Sequence, residues 1–157
     1  MSKEEIREDL NKAIKEKNSL VSDTLRMLLS EISNKEKEKK YKENKENLTE
    51  EEILEVIISE AKKRKEAISG FEKGGRTEQA EKEKSELIIL GKYLPEQISE
   101  EEVKKIIEEA IKETSASNMK DMGKVMASLM PKLKGSADGA LVSRIVKELL
   151  QWLKLGT

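Results

Sequence analysis

Asp121–Leu150 reads DMGKVMASLMPKLKGSADGALVSRIVKELL, and its periodicity decides the fold class. Met119, Met122, Met126 and Met130 recur at spacings of 3, 4 and 4, which places them on one face of a helix. Core packing is the expected role of that face. Pro131 lacks the amide N–H that a helix interior uses, so the pattern predicts that this helix stops there. Gly135 supplies the freedom of a tight reversal. Either Ser136 or Asp138 then caps a second helix, whose Val142, Ile145, Val146, Leu149 and Leu153 form another apolar stripe. The product is a helical hairpin with Lys132 and Lys134 at its corner and a helix N-terminus beside them. Such a corner suits phosphate.

Composition narrows the chemistry. The chain has 157 residues, 40% of them charged and 3% aromatic, enough for one or two thin helical domains. It has no cysteine and no histidine, which removes disulfides, thiolate and most zinc sites, and the Ser-His and Cys-His nucleophile pairs. No run reaches the length of a membrane span and no signal peptide opens the chain, so a soluble, cytoplasmic protein without a membrane partner is expected. Net charge is −1, yet from Ser117 to Thr157 seven Lys/Arg face three Asp/Glu, a local balance of +4. A basic C-terminal part on an acidic body points to an anionic partner.

The rest of the chain repeats the helical theme. Ser2–Glu5, Thr49–Glu52 and Ser99–Glu102 each have capping-box form. Stripes follow at helical spacing: Ile6, Leu10, Ala13 and Ile14, and then, behind a cap at Ser22 or Asp23, Leu25, Leu28, Leu29 and Ile32. KEKEKKYKENKEN, residues 35–47, mixes six lysines with four glutamates and reads as a solvated helix extension or a mobile loop. Thr49–Phe71 predicts a long helix with Lys62-Lys63-Arg64-Lys65 on its exposed side, ended by Gly74-Gly75. Thr77 is placed as the cap of its antiparallel partner, which runs to Gly91. Tyr93-Leu94-Pro95 interrupts the helices, and Val103, Ile106, Ile107, Ala110 and Ile111 open a final group. The expected architecture is all-α: an N-terminal domain of about four helices over residues 1–94, then a C-terminal three-helix bundle over 95–157.

Five segments stand in order: Thr24-Leu25-Arg26-Met27-Leu28-Leu29, Lys63-Arg64-Lys65-Glu66, Tyr93-Leu94-Pro95, Asp121-Met122-Gly123-Lys124-Val125-Met126 and Gly135-Ser136-Ala137-Asp138-Gly139. Together they resemble the YqeY family across nearly the whole chain. That family is related to the C-terminal tail of the B subunit of glutamine-dependent aspartyl/glutamyl-tRNA amidotransferase. The resemblance implies the two-part helical fold and a connection to tRNA, because in the amidotransferase the tail contacts the folded body of tRNA while amide chemistry belongs to other domains. The tail pattern falls on Gly123, Val125, Met126, Gly135, Ala137 and Asp138. Its lysine after the second glycine is Ser136 here, with Lys132 and Lys134 nearby.

The candidate RNA-binding residues are therefore Lys124, Lys132, Lys134, Gly135, Ser136 and Ala137, with backbone N–H groups around Ala137 as further phosphate donors. Gly123 is read as a close helix–helix approach and Trp152 as a packing residue. The runs Glu50–Glu52 and Glu100–Glu102 are first-turn acids that complement the helix dipole. No catalytic residue, metal site or cofactor is assigned. A carbon–nitrogen ligase role with glutamine as amido donor enters only by association, through the resemblance. Two function classes stand: a module that grips tRNA by its backbone, and an adaptor that docks to an amidotransferase, an aminoacyl-tRNA synthetase or another translation protein.

Overall fold

The structure, a computed structural model, describes residues 1–156. It is all-α. In chain order the helices are α1 (Lys3–Lys15), α2 (Ser19–Glu43), α3 (Glu50–Lys73), α4 (Thr77–Gly91), α5 (Glu100–Glu113), a 3-10 turn (Met119–Asp121), α6 (Met122–Leu133) and α7 (Gly139–Leu155). They fall into two compact units, Met1–Pro95 and a second that begins at Glu96. Among the described residues no helix is long and apolar enough to cross a membrane, and no acidic cluster could hold a metal ion.

Capping explains where three helices start. Ser2, Thr49 and Ser99 each accept a hydrogen bond from the N–H three residues on, and the glutamate there reaches back to the cap. At α3 the Thr49 N–H donates to Glu52 Oε2 at 2.7 Å and the Glu52 N–H donates to Thr49 Oγ1 at 3.2 Å. Each box satisfies two donors that the first turn leaves unpaired. Two starts differ from the sequence expectation. α2 begins a turn earlier than Ser22 or Asp23, because Asn18 accepts the Val21 N–H at 3.2 Å. Thr77 is the first residue of α4 rather than its cap, and Arg76 before it makes no side-chain cap bond. The lysine-rich stretch is helix through Glu43 and ends where Asn44 turns left-handed at φ 56°.

The first unit packs α1 on α2 and α3 on α4 around Ile6, Leu25, Leu28, Ile32, Ile57 and Leu90. Tyr93 closes this core and donates its hydroxyl to Asp9 of α1. One expectation fails on α3. Arg64 is 4% exposed, whereas its neighbours Lys62, Lys63 and Lys65 are exposed. Its Nη1 donates to Glu60 Oε2 at 3.1 Å. Its Nε lies 3.2 Å from Glu86 Oε2 on α4, but that N–H is not aimed along the line, so the contact is an ion pair without a hydrogen bond. Two carboxylates on facing turns give the guanidinium a reason to be inside.

In the second unit α5, α6 and α7 pack pairwise around Val103, Ile107, Val125, Leu129, Val146 and Leu150, all fully buried. The methionines are not the centre of that core. Val125, Leu129 and Leu133 are the buried residues of α6, while Met119, Met122 and Met126 pack at its edge and Met130 is 46% exposed. The buried line runs one residue away from the methionine line, a rotation of about 100°. Pro131 also lies inside α6 rather than ending it. Its missing donor affects only the carbonyl one turn back, at exposed Ala127, where water can take its place. The helix continues to Leu133, and the Lys134 N–H still reaches the Met130 carbonyl at 3.0 Å.

Candidate nucleic-acid interface

The corner after α6 is a closed turn. Gly135 adopts φ +79°, the left-handed region that a side chain would strain. The N–H groups of Ser136 and Ala137 both donate to the Leu133 carbonyl, at 3.0 and 3.2 Å. The Ser136 carbonyl accepts the Ile98 N–H at 3.1 Å, and the Gly135 carbonyl accepts the Gln97 side-chain amide. Asp138, of the two expected caps, is the one that opens α7: its Oδ1 accepts the Ala140 N–H at 2.9 Å. The Ala137 N–H is thus already bonded, and the α7 N-terminus already carries a carboxylate. A phosphate at this corner has lysines rather than backbone donors to meet.

The predicted lysines are arranged along α6 and its end. Lys124, Ser128 and Lys132 follow at i, i+4 and i+8, and so share one side of the helix. Lys124 and Lys132 are exposed, and Lys134 caps the helix end. Lys132 Nζ stands 3.5 Å from Glu113 Oε2 on α5, a surface pair with both partners about half exposed that another anion can displace. Near Lys124 the Asp121 carboxyl is held below the usual carboxylate range, first by the Ser117 N–H, with help from the Asn118 N–H and from Lys124 itself. α5 also supplies Glu100, 3.4 Å from Arg144, so its acids offset part of the basic balance of the C-terminal stretch.

Two sequence expectations change here. A Cβ added at Gly123 would meet nothing within 4 Å, so close helix packing is not what the glycine serves. Gly123, Ala127 and Pro131 are all exposed and lie at successive i+4 steps, a low ridge beside the line of Lys124 and Lys132. Trp152 is 71% exposed rather than packed. Ala127 and Ser128 stand on the same two lines of α6 and are not among the residues singled out from the sequence. Their signal was present: the small and polar residues repeat in step with the buried Val125, Leu129 and Leu133, offset by one or two positions.

Comparison with known proteins identifies the family of the chain. The pattern of the Yqey-like protein family matches residues 3–150. The chain belongs to the YqeY family. An uncharacterized protein of Schizosaccharomyces pombe is 38% identical over 94 residues, 60% of this chain and 72% of that protein. The E subunit of glutamyl-tRNA(Gln) amidotransferase from Thermococcus gammatolerans is 36% identical over 114 residues, 69% of this chain but 18% of that protein. The mitochondrial protein "altered inheritance of mitochondria protein 41" of Pyrenophora tritici-repentis is 28% identical over 145 residues, 90% of this chain and 77% of that protein. This YqeY chain is therefore related to the tail of amidotransferase subunits and spans only a small share of the length of such a protein.

Proposed function

We propose that this YqeY chain is an accessory module of translation that holds tRNA by its sugar–phosphate backbone along the exposed face of α6 and the corner after it. Lys124, Lys132 and Lys134 act as point charges on phosphate, and Gly135, Ser136 and Ala137 shape the turn that carries them. The observation that carries this reading is the low ridge of Gly123 and Ala127 bordered by lysines, in a chain similar to part of an amidotransferase named for glutamyl-tRNA(Gln). A ridge without large side chains lets a nucleic-acid backbone come close to the helix. Contacts of this kind follow backbone shape more than base sequence. An amidotransferase or an aminoacyl-tRNA synthetase is the protein class with which such a module would work. Carbon–nitrogen ligation with glutamine enters this reading only through that association.

The test is a tRNA titration at several salt concentrations with wild type and three variants. Lys132→Glu/Lys134→Glu should keep its helical content, bind much more weakly and lower the salt slope by about two, one for each lost phosphate contact. Gly123→Leu should leave the fold intact or firmer, because the site is open and glycine costs a helix about 1 kcal/mol, yet it should weaken binding by blocking approach. Ser136→Lys should tighten binding modestly. Equal binding by all four proteins, or no preference for tRNA over competitor DNA, would overturn the reading.

A further inference from the structure

Two of the segments that carry the family resemblance, Thr24–Leu29 and Lys63–Glu66, meet on one buried cation, and neither has a part in the tRNA face. Arg64 Nη2 of α3 stands 4.0 Å from Met27 Sδ of α2. The other two nitrogens of the guanidinium face Glu60 and Glu86. Nη1 donates to Glu60 Oε2 at 3.1 Å and to the Glu60 carbonyl at 3.4 Å, and Nε lies 3.2 Å from Glu86 Oε2. Among the described residues Met27 Sδ is therefore the one acceptor that Nη2 has. A thioether sulfur accepts hydrogen bonds only weakly. One end of a full charge, on a side chain buried between two helices, thus rests on one of the poorest partners a side chain offers.

Met27 is also open to small reagents. It is 50% exposed, although Leu25 and Leu28 beside it are buried. The other five methionines differ from it. Met119, Met122 and Met126 pack against the core of the second unit, and Met1 and Met130 are exposed without a guanidinium at their sulfur among the described residues. Oxidation of a methionine inside an apolar core puts a polar group where nothing accepts it, and so disrupts packing. At Met27 the balance reverses. A sulfoxide oxygen is a strong acceptor, and the flexible stem of the side chain lets it turn onto Nη2, where the bond is assisted by the charge of the guanidinium. A half-exposed side chain has little packing to lose.

We propose that Met27 is a reversible oxidation site, at which a peroxide converts the thioether to a sulfoxide whose oxygen accepts a hydrogen bond from Arg64 Nη2 and tightens the first unit. In that step the sulfur attacks one peroxide oxygen, so that an S–O bond forms and the O–O bond breaks. Sulfur gives up two electrons. The departing hydroxide takes the proton of the transferred oxygen and leaves as water. Two thiols of a sulfoxide reductase reverse the step, becoming a disulfide as the oxygen leaves as water. The site lies in the first unit and does not depend on the tRNA reading.

The full chain is treated briefly with hydrogen peroxide. Peptide mass spectrometry reads the sulfoxide at each methionine, and amide hydrogen exchange is followed in α2 and α3. Both helices belong to the first unit, so oxidation on α6 does not enter the reading. Met27 should be oxidised at least as fast as Met130, whose exposure is similar, and well before Met119, Met122 and Met126. The slowest amides of α3 should then exchange about tenfold more slowly, the protection that a charge-assisted bond adds over a weak acceptor. Met27→Leu, which keeps Met1 but cannot take the oxygen at this position, should show no slowing relative to its own untreated form. Met27→Gln, whose amide oxygen stands in for the sulfoxide, should show the protection without peroxide. A Met27 that stays reduced while Met130 is oxidised, exchange in α3 that is unchanged or faster, the same slowing in Met27→Leu, or no protection in Met27→Gln would overturn the proposal.

Discussion

Replacing Arg64 by alanine should destabilise the first unit by about 3–5 kcal/mol. The guanidinium lies 3.1 Å from Glu60 and 3.2 Å from Glu86, with side chains between 5 and 9% exposed. At these separations an effective dielectric of about 20 gives each pair roughly 5 kcal/mol of attraction, most of it offset by the cost of taking three charges out of water. Truncating the arginine removes the attraction and leaves the desolvation. Lys63, 2.7 Å from Glu60 and 60% exposed, still covers that carboxylate, so Glu86 bears most of the loss. Adding Glu86→Leu to Arg64→Ala should therefore restore about half of the stability, while the contact of Nη2 with Met27 Sδ at 4.0 Å stays lost. The measurement is urea unfolding of the full chain followed by circular dichroism, with amide hydrogen exchange in α3 and α4 to assign the loss to that unit. A loss below about 1 kcal/mol, or no recovery in the double variant, would refute the reasoning, because the cluster would then behave as a surface ion pair.

Leu129→Ala should cost about 2–5 kcal/mol, whereas Met130→Ala one position on should stay within about 0.5 kcal/mol, both read from urea midpoints. Met126→Asp should fall between them, because its side chain packs at the edge of the same core; a cost equal to that of Leu129→Ala would put the methionine line back at the centre. Burial pushes the Tyr93 phenol well above its ordinary range, and its bond to Asp9 adds to the shift. A folded-state value above the unfolded one means that the contribution is whole below about pH 10 and is lost as pH rises beyond it. The stability of wild type should therefore drop above about pH 10, and Tyr93→Phe should remove that dependence; identical pH profiles would place the phenol in contact with water.

Helices and most of their starts were legible because a capping box and a 3.6-residue stripe are local signals. Thr49–Glu52 shows its cap, its acids and the apolar run behind it within a few residues. Which side of a helix is buried is decided by its neighbours, and there sequence reading slipped. On α6 the methionines and the Val125–Leu129–Leu133 line are both apolar and adjacent, and only packing against α5 and α7 selects the second. Arg64 looked exposed because three lysines flank it, and the two glutamates that hold it inside are 4 and 22 positions away in the sequence. Gly123 and Trp152 were misread for a common reason. Glycine suits both close packing and open ridges, and an apolar residue at the edge of a stripe is buried only if something covers it. The lysine corner was legible in charge but not in its hydrogen bonds, since the bonding of the Ala137 N–H depends on how tightly the chain turns at Gly135.

Within each unit, helices adjacent in the chain are packed together: α1 with α2, α3 with α4, α5 with α6 and α6 with α7. Few long loops must close before a contact forms, and helical chains of this low contact order fold in microseconds to milliseconds. Everything the first unit needs has been synthesised by Pro95. At about 5–20 residues per second the ribosome takes roughly 3–12 s over residues 96–157 alone. The first unit therefore has time to finish folding, with Arg64 sealed between its glutamates, while the lysine face of α6 is still being made.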